Sequence, residues 1–548
     1  MLLALALLPL TGLTAPPLGD SLLATVPEDA YVLVHCTDFA GLRARAESND
    51  WYRLLHSEHG EPLMAEVARE IRSGTHTDTE ETFAVANALR GELVFFDTGT
   101  VAGFAAEPPA NREALAASMR EWLPDGDEAA RGQLEIAGAK VELIAWPEDI
   151  GGWSGRAGHF AAFVDHPKVL AIYSGDNSDA VTTALTDGLQ GLTESRSAPL
   201  VSSYLESGGA SSGGLQLFID FTPLIDQAEA ALADAVDGAL IEPTRLLGLE
   251  GGTRLHASAD LFPGTAVDCR ARVHLPKDSL ASRLADTLQP LSRTLPAVLP
   301  KGVWGLWALN WNLPLFYQRV RAAYVEAGKE ESLAMADAGL QMAQGLAGVD
   351  PIEELLNQLA GDFAMYFVEP DGEESSDHWR DEFSLFGFHA RLVNGDVFLG
   401  ALEKLIAMGG LDTMLDLQEL GGAEAYLMPE GEGYESGLDG GFACLPNALS
   451  IAMSRRVLER SLLALTGAEG ASLDGSRMQA VIDENAGACY LTCIEMTPLR
   501  LYFLPEFNDD LRLPPLEEGQ PVRDPFDAQL INAVRRTPAG FEMRMYTR

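Results

Sequence analysis

Short apolar runs separated by tight polar turns recur along most of this chain. The runs at 91–96 (GELVFF) and 101–106 (VAGFAA) lie close enough to pair directly, which is typical of antiparallel strands. Apolar residues at three- and four-residue spacing at 111–123 and 394–408 predict amphipathic helices. Because strands occur in pairs without a long helix between them, the pattern predicts an α+β fold of mainly antiparallel sheet, with helices packed on one face.

One short phrase occurs twice. The chain reads DFTPL at 220–224 and EMTPL at 495–499, each between an apolar run and a helix-like stretch. Threonine followed by proline is a common helix start, so the phrase predicts a strand-to-helix corner with Thr222 as the N-cap. A corner role also explains why Asp220 and Glu495 recur, without requiring paired catalytic carboxylates.

Other stretches match in the same order at nearly the same separation. Gly91–Phe96 aligns with Gly361–Tyr366, and Gly103 aligns with Gly387. The separation drifts by only a few residues, as loop insertions produce, and 371–382 (DGEESSDHWRDE) is one such insertion. The sequence therefore predicts two homologous repeats of roughly 200 residues each, an ordinary domain size.

The predicted boundaries are, in chain order, a signal peptide at 1–19, a first α+β repeat at 20–249, a bridging hairpin and helix at 250–299, a second α+β repeat at 300–505, and a tail at 506–548. Within the bridge, apolar runs on both sides of the turn Pro263-Gly264 predict the hairpin. The tail begins as an acidic, proline-rich linker. Its residues 526–536 (FDAQLINAVRR) predict a helix, and 540–547 a last strand.

The first residues suggest export. They are apolar from Leu2 to Ala15, about the length of a signal-peptide core and too short to span a membrane. The first basic residue is Arg43, so the usual positive start is missing. We nevertheless expect an exported protein, periplasmic or extracellular. No later apolar run reaches about 18 residues, so the sequence predicts no transmembrane span.

Acidic residues far outnumber basic ones. The chain has 81 Asp+Glu against 38 Lys+Arg, a formal net charge of −43. Such a surface repels nucleic acid and attracts divalent cations or basic partners. Solubility, or adaptation to a salty exterior, explains the same excess. The charge therefore argues against nucleic acid as a partner.

Few residues suggest a metal site. The best candidates are His56 and His59, three apart, with Glu61 nearby. They lack the histidine spacing of the zinc-protease helix, and Gly60 and Pro62 favour a helix end, so a solvated helix end is the simpler interpretation. With no serine elbow, phosphate-binding loop or dinucleotide fingerprint, the sequence identifies no catalytic or cofactor-binding residue.

Acidic loops are the other candidate cation sites. The loops at 125–128, 371–381 and 430–439 offer carboxylates to Ca²⁺, but none has the alternating oxygen ligands of a calcium loop. Exposed acid is the simpler interpretation of all three.

The chain has five cysteines, an odd number at irregular spacing, which argues against a disulfide framework. They are expected to be small buried hydrophobic residues. They are Cys36, Cys269, Cys444, Cys489 and Cys493.

Three tryptophans cluster in the stretch 303–311 (VWGLWALNW). Packing in the core of a large sheet is the expected role of these tryptophans, but Trp304 and Trp307 point to opposite faces of a strand, so surface exposure of one of them is the alternative. At the surface it would offer a stacking platform for a sugar or a peptide.

The second repeat resembles a known family. It reads DPIEELL at 350–356 after a leucine-rich helix, and GDFA at 361–364 then begins a strand. This order resembles a family of exported bacterial proteins known only as a domain of unknown function. The likeness covers most of residues 20–505 and is clearest in the second repeat. The resemblance implies an exported, duplicated α+β protein and transfers no catalytic residue.

The sequence leaves three functions open. We expect first an exported, non-enzymatic binding or interaction protein of the cell envelope. Its partner would be a protein or a small apolar ligand, held on a sheet face or between the repeats. The alternatives are a metal-dependent hydrolase with an unidentified site and a structural subunit of an extracellular assembly. A ligand carrier should have an apolar cavity. An enzyme should have polar groups that converge in a cleft, and an assembly subunit should have an exposed apolar patch.

Overall fold

The structure is a computed structural model of the 548-residue chain. It describes residues 21–57, 88–121, 123, 130–151, 157–194, 197–207, 214–225, 251–369, 385–411, 415–429, 439–473, 475–503 and 524–548. The chain divides into two compact units. The first contains the described residues up to Leu224, Gly251–Val273 and 524–525. The second contains Ile225, the described residues from His274 to Phe503, and Phe526–Arg548.

The described strands of the first unit form one mainly antiparallel sheet. They are β1 (Val32–Cys36), β2 (Leu93–Asp97), β3 (Val101–Ala106), β4 (Ala130–Ile136), β5 (Ala139–Gly151), β6 (Ala157–His166), β7 (Val169–Gly175), β8 (Leu215–Asp220), β9 (Arg254–Leu261) and β10 (Val267–His274). Their order across the sheet is β4-β5-β6-β7-β3-β2-β1-β8-β9-β10.

The described strands of the second unit form a sheet with the same order. They are β11 (Val303–Leu309), β12 (Leu359–Val368), β13 (Phe386–Leu392), β14 (Asp416–Leu420), β15 (Ala423–Leu427), β16 (Gly441–Leu445), β17 (Ala448–Ala452), β18 (Ala488–Glu495), β19 (Gln529–Thr537) and β20 (Gly540–Thr547). Their order is β14-β15-β16-β17-β13-β12-β11-β18-β19-β20. Each strand of the first sheet thus corresponds to the strand of the second sheet whose number is ten higher.

In both units, described helices follow the first, third and seventh strands. The first unit has α1 (Phe39–Ser48), α2 (Asp50–Leu55), α3 (Arg112–Glu121), α4 (Ser178–Glu194) and α5 (Pro199–Glu206). The second has α6 (Leu280–Ala285), α7 (Leu295–Val298), α8 (Leu313–Glu326), α9 (Glu330–Ala347), α10 (Gly395–Met408), α11 (Arg455–Leu465), α12 (Arg477–Glu484) and α13 (Met496–Phe503). Side-chain oxygens cap the starts of α8, α10, α11 and α12, and the caps are Asn312, Asn394, Ser454 and Ser476.

Helices cover both faces of the first sheet. One face packs against α4 and α5 around Leu33 and Tyr204, and the opposite face packs against α1 and α3 around Phe104 and Met119. The α+β class is as the sequence predicts, but helices on a single face is a correction. Strands β3 and β7 are buried at every position, so both of their faces require cover.

The repeated phrase forms the predicted corner in each unit. Asp220 ends β8, and its Oδ1 accepts hydrogen bonds from the backbone N–H and the hydroxyl of Thr222, at 3.0 and 2.7 Å. Its Oδ2 faces Arg254, the first residue of β9. In the second unit Glu495 ends β18 and accepts a hydrogen bond from Gln529, the first residue of β19. The acidic residue thus ties the strand end to the next strand.

The corner differs from expectation in one detail. Thr222 is the first helical residue rather than the N-cap, and its hydroxyl also accepts a hydrogen bond from Gly252 N. In the second unit the hydroxyl of Thr497 donates to Phe526 O. Both threonines therefore hold the chain that leads into the next strand.

Two glycines of the predicted alignment have the same neighbour. Gly103 lies opposite Phe96, and Gly387 lies opposite Tyr366. A Cβ at either glycine would collide with that aromatic ring. The ring covers the glycine of the neighbouring strand in each sheet, which fixes both residue types.

Two segments differ from their predicted roles. The hairpin of the 250–299 bridge, β9 and β10, pairs with β8 and so extends the first sheet. Residues 526–536 were expected as a helix, but Gln529–Thr537 is strand β19. Hydrogen bonding to β18 and β20 on its two sides makes this segment a strand. Its side chains alternate between the two faces of the sheet, so Ile531 and Ala533 are buried.

None of the described helices is both long enough and apolar enough to span a membrane.

Candidate binding surface

A row of apolar side chains crosses the second sheet at right angles to its strands. Each residue lies directly opposite the next on the neighbouring strand, so all share one face. We call it the exposed row, and its residues are Leu417, Tyr426, Phe442, Ile451, Phe388, Met365 and Trp307. Six strand spacings of about 4.8 Å make it about 29 Å long.

The first sheet contains a row at the same register. Strand for strand, its residues are Gln133, Glu142, Phe163, Ile172, Phe104, Phe95 and Val34. Five of these seven are apolar, and we call this set the covered row. The two rows therefore allow a direct comparison of equivalent surfaces.

The two rows differ in exposure. In the covered row, Phe104, Phe163 and Ile172 have relative exposures of 8%, 1% and 0%. At the equivalent positions of the exposed row, Phe388 and Phe442 are half-buried and Ile451 reaches 38%. Leu417 and Met365 are exposed as well, at 54% and 44%. The row is therefore a partly exposed apolar strip, and apolar strips of this kind mark interaction surfaces.

Helix packing causes the difference. Leu42 of α1 and Leu115 and Met119 of α3 are buried in one cluster with the covered row. The corresponding helices of the second unit are α8 and α10. Of α8 only Ala323 is buried, and of α10 only Gly395 and Ala401. In the described part of the second unit, Phe398 of α10 still lies in one cluster with Phe388 and Phe442 of the row, so these helices cover this face only in part.

Aromatic rings line the exposed row at close spacing. Tyr426 and Phe442 stack with ring centroids 5.0 Å apart. Beside the row, Phe367 meets Trp307 edge-on at 5.8 Å and Phe386 edge-on at 5.6 Å. These contacts hold the rings in a fixed arrangement. The ring side chains therefore lose less conformational entropy when a partner binds.

A buried polar network lies in the first unit. His35 bonds through Nε2 to Glu92 Oε1 at 2.8 Å and through Nδ1 to the Tyr204 hydroxyl at 2.9 Å. Glu92 also accepts hydrogen bonds from the Ser21 hydroxyl, at 2.5 Å, and from Leu22 N, at 2.7 Å. Both ring nitrogens of His35 and both oxygens of Glu92 are therefore occupied. The network ties residues 21–25 to the sheet.

A pocket of about 360 Å³ opens beside this network. Its walls include Glu92, Glu107, Lys168 and Thr37. Glu107 accepts a hydrogen bond from the backbone N–H of Glu92, so it holds the start of β2. The carboxylates that face the pocket thus already bind neighbouring protein groups.

The predicted metal candidates do not form a described site. His56 follows α2, its Nδ1 lies 2.9 Å from Tyr52 O, and its ring stacks on Tyr52 with centroids 4.0 Å apart. His59 and Glu61 lie outside the described residues, as do the acidic loops except Asp439. Within the described part of the chain, no three His, Cys, Asp or Glu side chains converge to hold a metal ion.

The five cysteines are free thiols. Burial raises the pKa of Cys36 and of Cys493 to about 12, and it raises the pKa of Cys489 as well. Such thiols stay protonated at neutral pH and behave as small hydrophobic side chains.

The tryptophan cluster contributes one member to the surface. Trp304 is buried at 2% exposure, whereas Trp307 is half-buried in the exposed row. The spacing of the two tryptophans correctly predicted opposite faces, while core packing, the expected role of both, holds for Trp304 only. The sequence missed the other six residues of the row because β-strand positions that are open and positions that a helix covers have the same apolar pattern.

No protein-family model, no curated protein and no solved structure matches this chain.

Proposed function

We propose that this is a non-enzymatic binding protein whose second unit holds an apolar segment of a partner protein on the exposed row. One observation supports the proposal above all: helices bury Phe104, Phe163 and Ile172 of the covered row. At the equivalent positions of the exposed row, Phe388 and Phe442 are half-buried and Ile451 is exposed. The exposed row offers aromatic and methionine side chains, which dominate protein-binding surfaces.

The size of the row suggests what kind of segment fits. Within this chain, helices cover the equivalent face, with Leu42 and Met119 packed onto it. An α-helix as long as the row, about 29 Å, has about 19 residues at 1.5 Å per residue. We therefore take the partner segment to be an amphipathic helix.

The test uses a 20-residue model helix with a leucine stripe and a glutamine polar face. We expect micromolar binding, read by anisotropy of a labelled peptide, and a change in tryptophan emission. Ile451→Asp places a charge in the middle of the row and should weaken binding by at least about tenfold. Leu134→Asp is the matched control, because Leu134 is also an exposed apolar strand residue but lies in the first unit.

Circular dichroism establishes that both variants are folded. Equal affinity of the wild type and Ile451→Asp for the peptide would overturn the proposal.

We also propose that the two units are diverged copies of one ancestral unit. Their strands follow one order, and at the repeated corner the pairing partners lie 34 residues apart in both units. There Asp220 pairs with Arg254 and Glu495 with Gln529. The shared corner and the shared ring-over-glycine pair support the same proposal.

The place of action that we propose is the periplasm or the exterior of the cell. This rests on the apolar stretch from Leu2 to Ala15 alone. N-terminal sequencing of the protein recovered from its host should begin after this stretch, and a retained Met1 would contradict it.

A further inference from the structure

Two glutamates at one end of the exposed row lie directly opposite each other on neighbouring strands. Glu419 of β14 and Glu424 of β15 are direct cross-strand partners, and both are exposed. They lie two residues along their strands from Leu417 and Tyr426, so they share a face with the row. Like charges in this position destabilise a strand pair.

The first unit has a different pair at the same register. There Glu135 of β4 lies opposite Lys140 of β5, so the charges are opposite. The equivalent of Lys140 in the second unit is Glu424. A third carboxylate, Glu403 of α10, accepts a hydrogen bond at 2.5 Å from the hydroxyl of Tyr426 in the row itself.

From this geometry we propose that the partner helix is basic, with a Lys or Arg that binds between Glu419 and Glu424 while its apolar stripe lies along the exposed row. This inference rests on the proposed function and adds the charge and the orientation of the partner. About 7 Å separates the glutamates from the row along the strands, a distance that a lysine side chain covers.

Among the described strand pairs, no like-charged pair lies beside the opposite end of the row. Trp307 of β11 is the last residue of the row, and its cross-strand partner on β18 is Thr492. The basic residue of the partner therefore belongs at the β14–β15 end. The acidic surroundings also disfavour an anionic membrane as the occupant.

The experiment compares two model helices that differ only on their polar face, lysine in one and glutamine in the other. At about 50 mM NaCl we expect the lysine helix to bind about tenfold more tightly, and at about 300 mM NaCl the preference should shrink. Glu424→Lys, which recreates the pair of the first unit, should abolish the preference for the lysine helix over the glutamine helix.

The matched control is Lys140→Glu, which creates a Glu–Glu pair in the first unit and should leave the preference as in the wild type. Equal binding of the two helices to the wild type would overturn the inference and leave the proposed function standing. If neither helix binds the wild type, the proposed function falls as well.

Discussion

At the scale of single residues, His389 of β13 stands out because it is buried without a hydrogen-bond partner for its Nδ1. The first unit has Ala105 at the equivalent register. Burial, followed by the nearby charge of Arg391, lowers the pKa of His389 to about 4. The fold therefore holds a neutral imidazole.

His389 makes stability depend on pH. An unfolded histidine binds a proton near pH 6.5, while folded His389 stays neutral down to about pH 4. This histidine does not reduce the free energy of unfolding above pH 6.5. As the pH falls towards 4, proton binding to the unfolded chain lowers the free energy of unfolding by about 3 kcal/mol in all. Urea unfolding at a series of pH values gives the free energy of unfolding as a function of pH. Between about pH 4 and pH 6.5, the slope of this plot should show about one proton fewer taken up on unfolding in His389→Gln than in the wild type. An unchanged slope would contradict this.

Gly387 tests the shared ring-over-glycine pair. A Cβ at this position collides with the ring of Tyr366, so Gly387→Ala should cost about 2 kcal/mol of unfolding free energy. The control is Gly400→Ala in α10, where no atom lies near the added Cβ. It should stabilise by about 0.5–1 kcal/mol, because alanine favours the helix. Urea denaturation measures both, and a neutral Gly387→Ala would show that Tyr366 moves freely.

At the scale of elements, α9 (Glu330–Ala347) is the least embedded long helix in the described part of the chain. None of its residues is buried, and Met335, Met342 and Leu346 are strongly exposed. Gly339 and Gly345 weaken it further. By contrast, the packed face of α11 buries Val457, Leu458 and Leu462, among other residues.

Hydrogen exchange should separate these two helices. We expect the amides of α9 to exchange well before those of α11, since local opening of α9 exposes little apolar surface. Exchange of the intact protein, followed by proteolysis and mass spectrometry, gives the comparison. Equal protection of the two helices would mean that a further surface covers α9.

At the scale of the whole molecule, the net charge of −43 opposes compactness. Carboxylates exceed basic groups about twofold, so their mutual repulsion is greatest at low salt. Raising NaCl from about 10 to about 200 mM should raise the melting temperature, because the Debye length falls below about 10 Å. Sucrose at equal osmolarity is the control without screening. A melting temperature that falls with salt would show that attractive ion pairs dominate.

The sequence determined much of the architecture by itself. Period-two apolar runs, helix starts and glycine turns are local signals, so the α+β class, most strands, and the corners at Asp220 and Glu495 were predictable. The order of the matching stretches also suggested two units. The helix predicted at 526–536 was wrong because a short apolar run fits either a helix or a strand. Hydrogen bonding to β18 and β20 makes most of this run a strand.

Tertiary structure alone decided which apolar face stays open. The covered row and the exposed row have similar side chains, and burial depends on how closely helices from elsewhere in the chain approach them. The Glu419–Glu424 pair likewise exists only once strand register is fixed. Register and helix placement are non-local, since they depend on packing between segments that are distant in sequence, so periodicity within one segment cannot encode them.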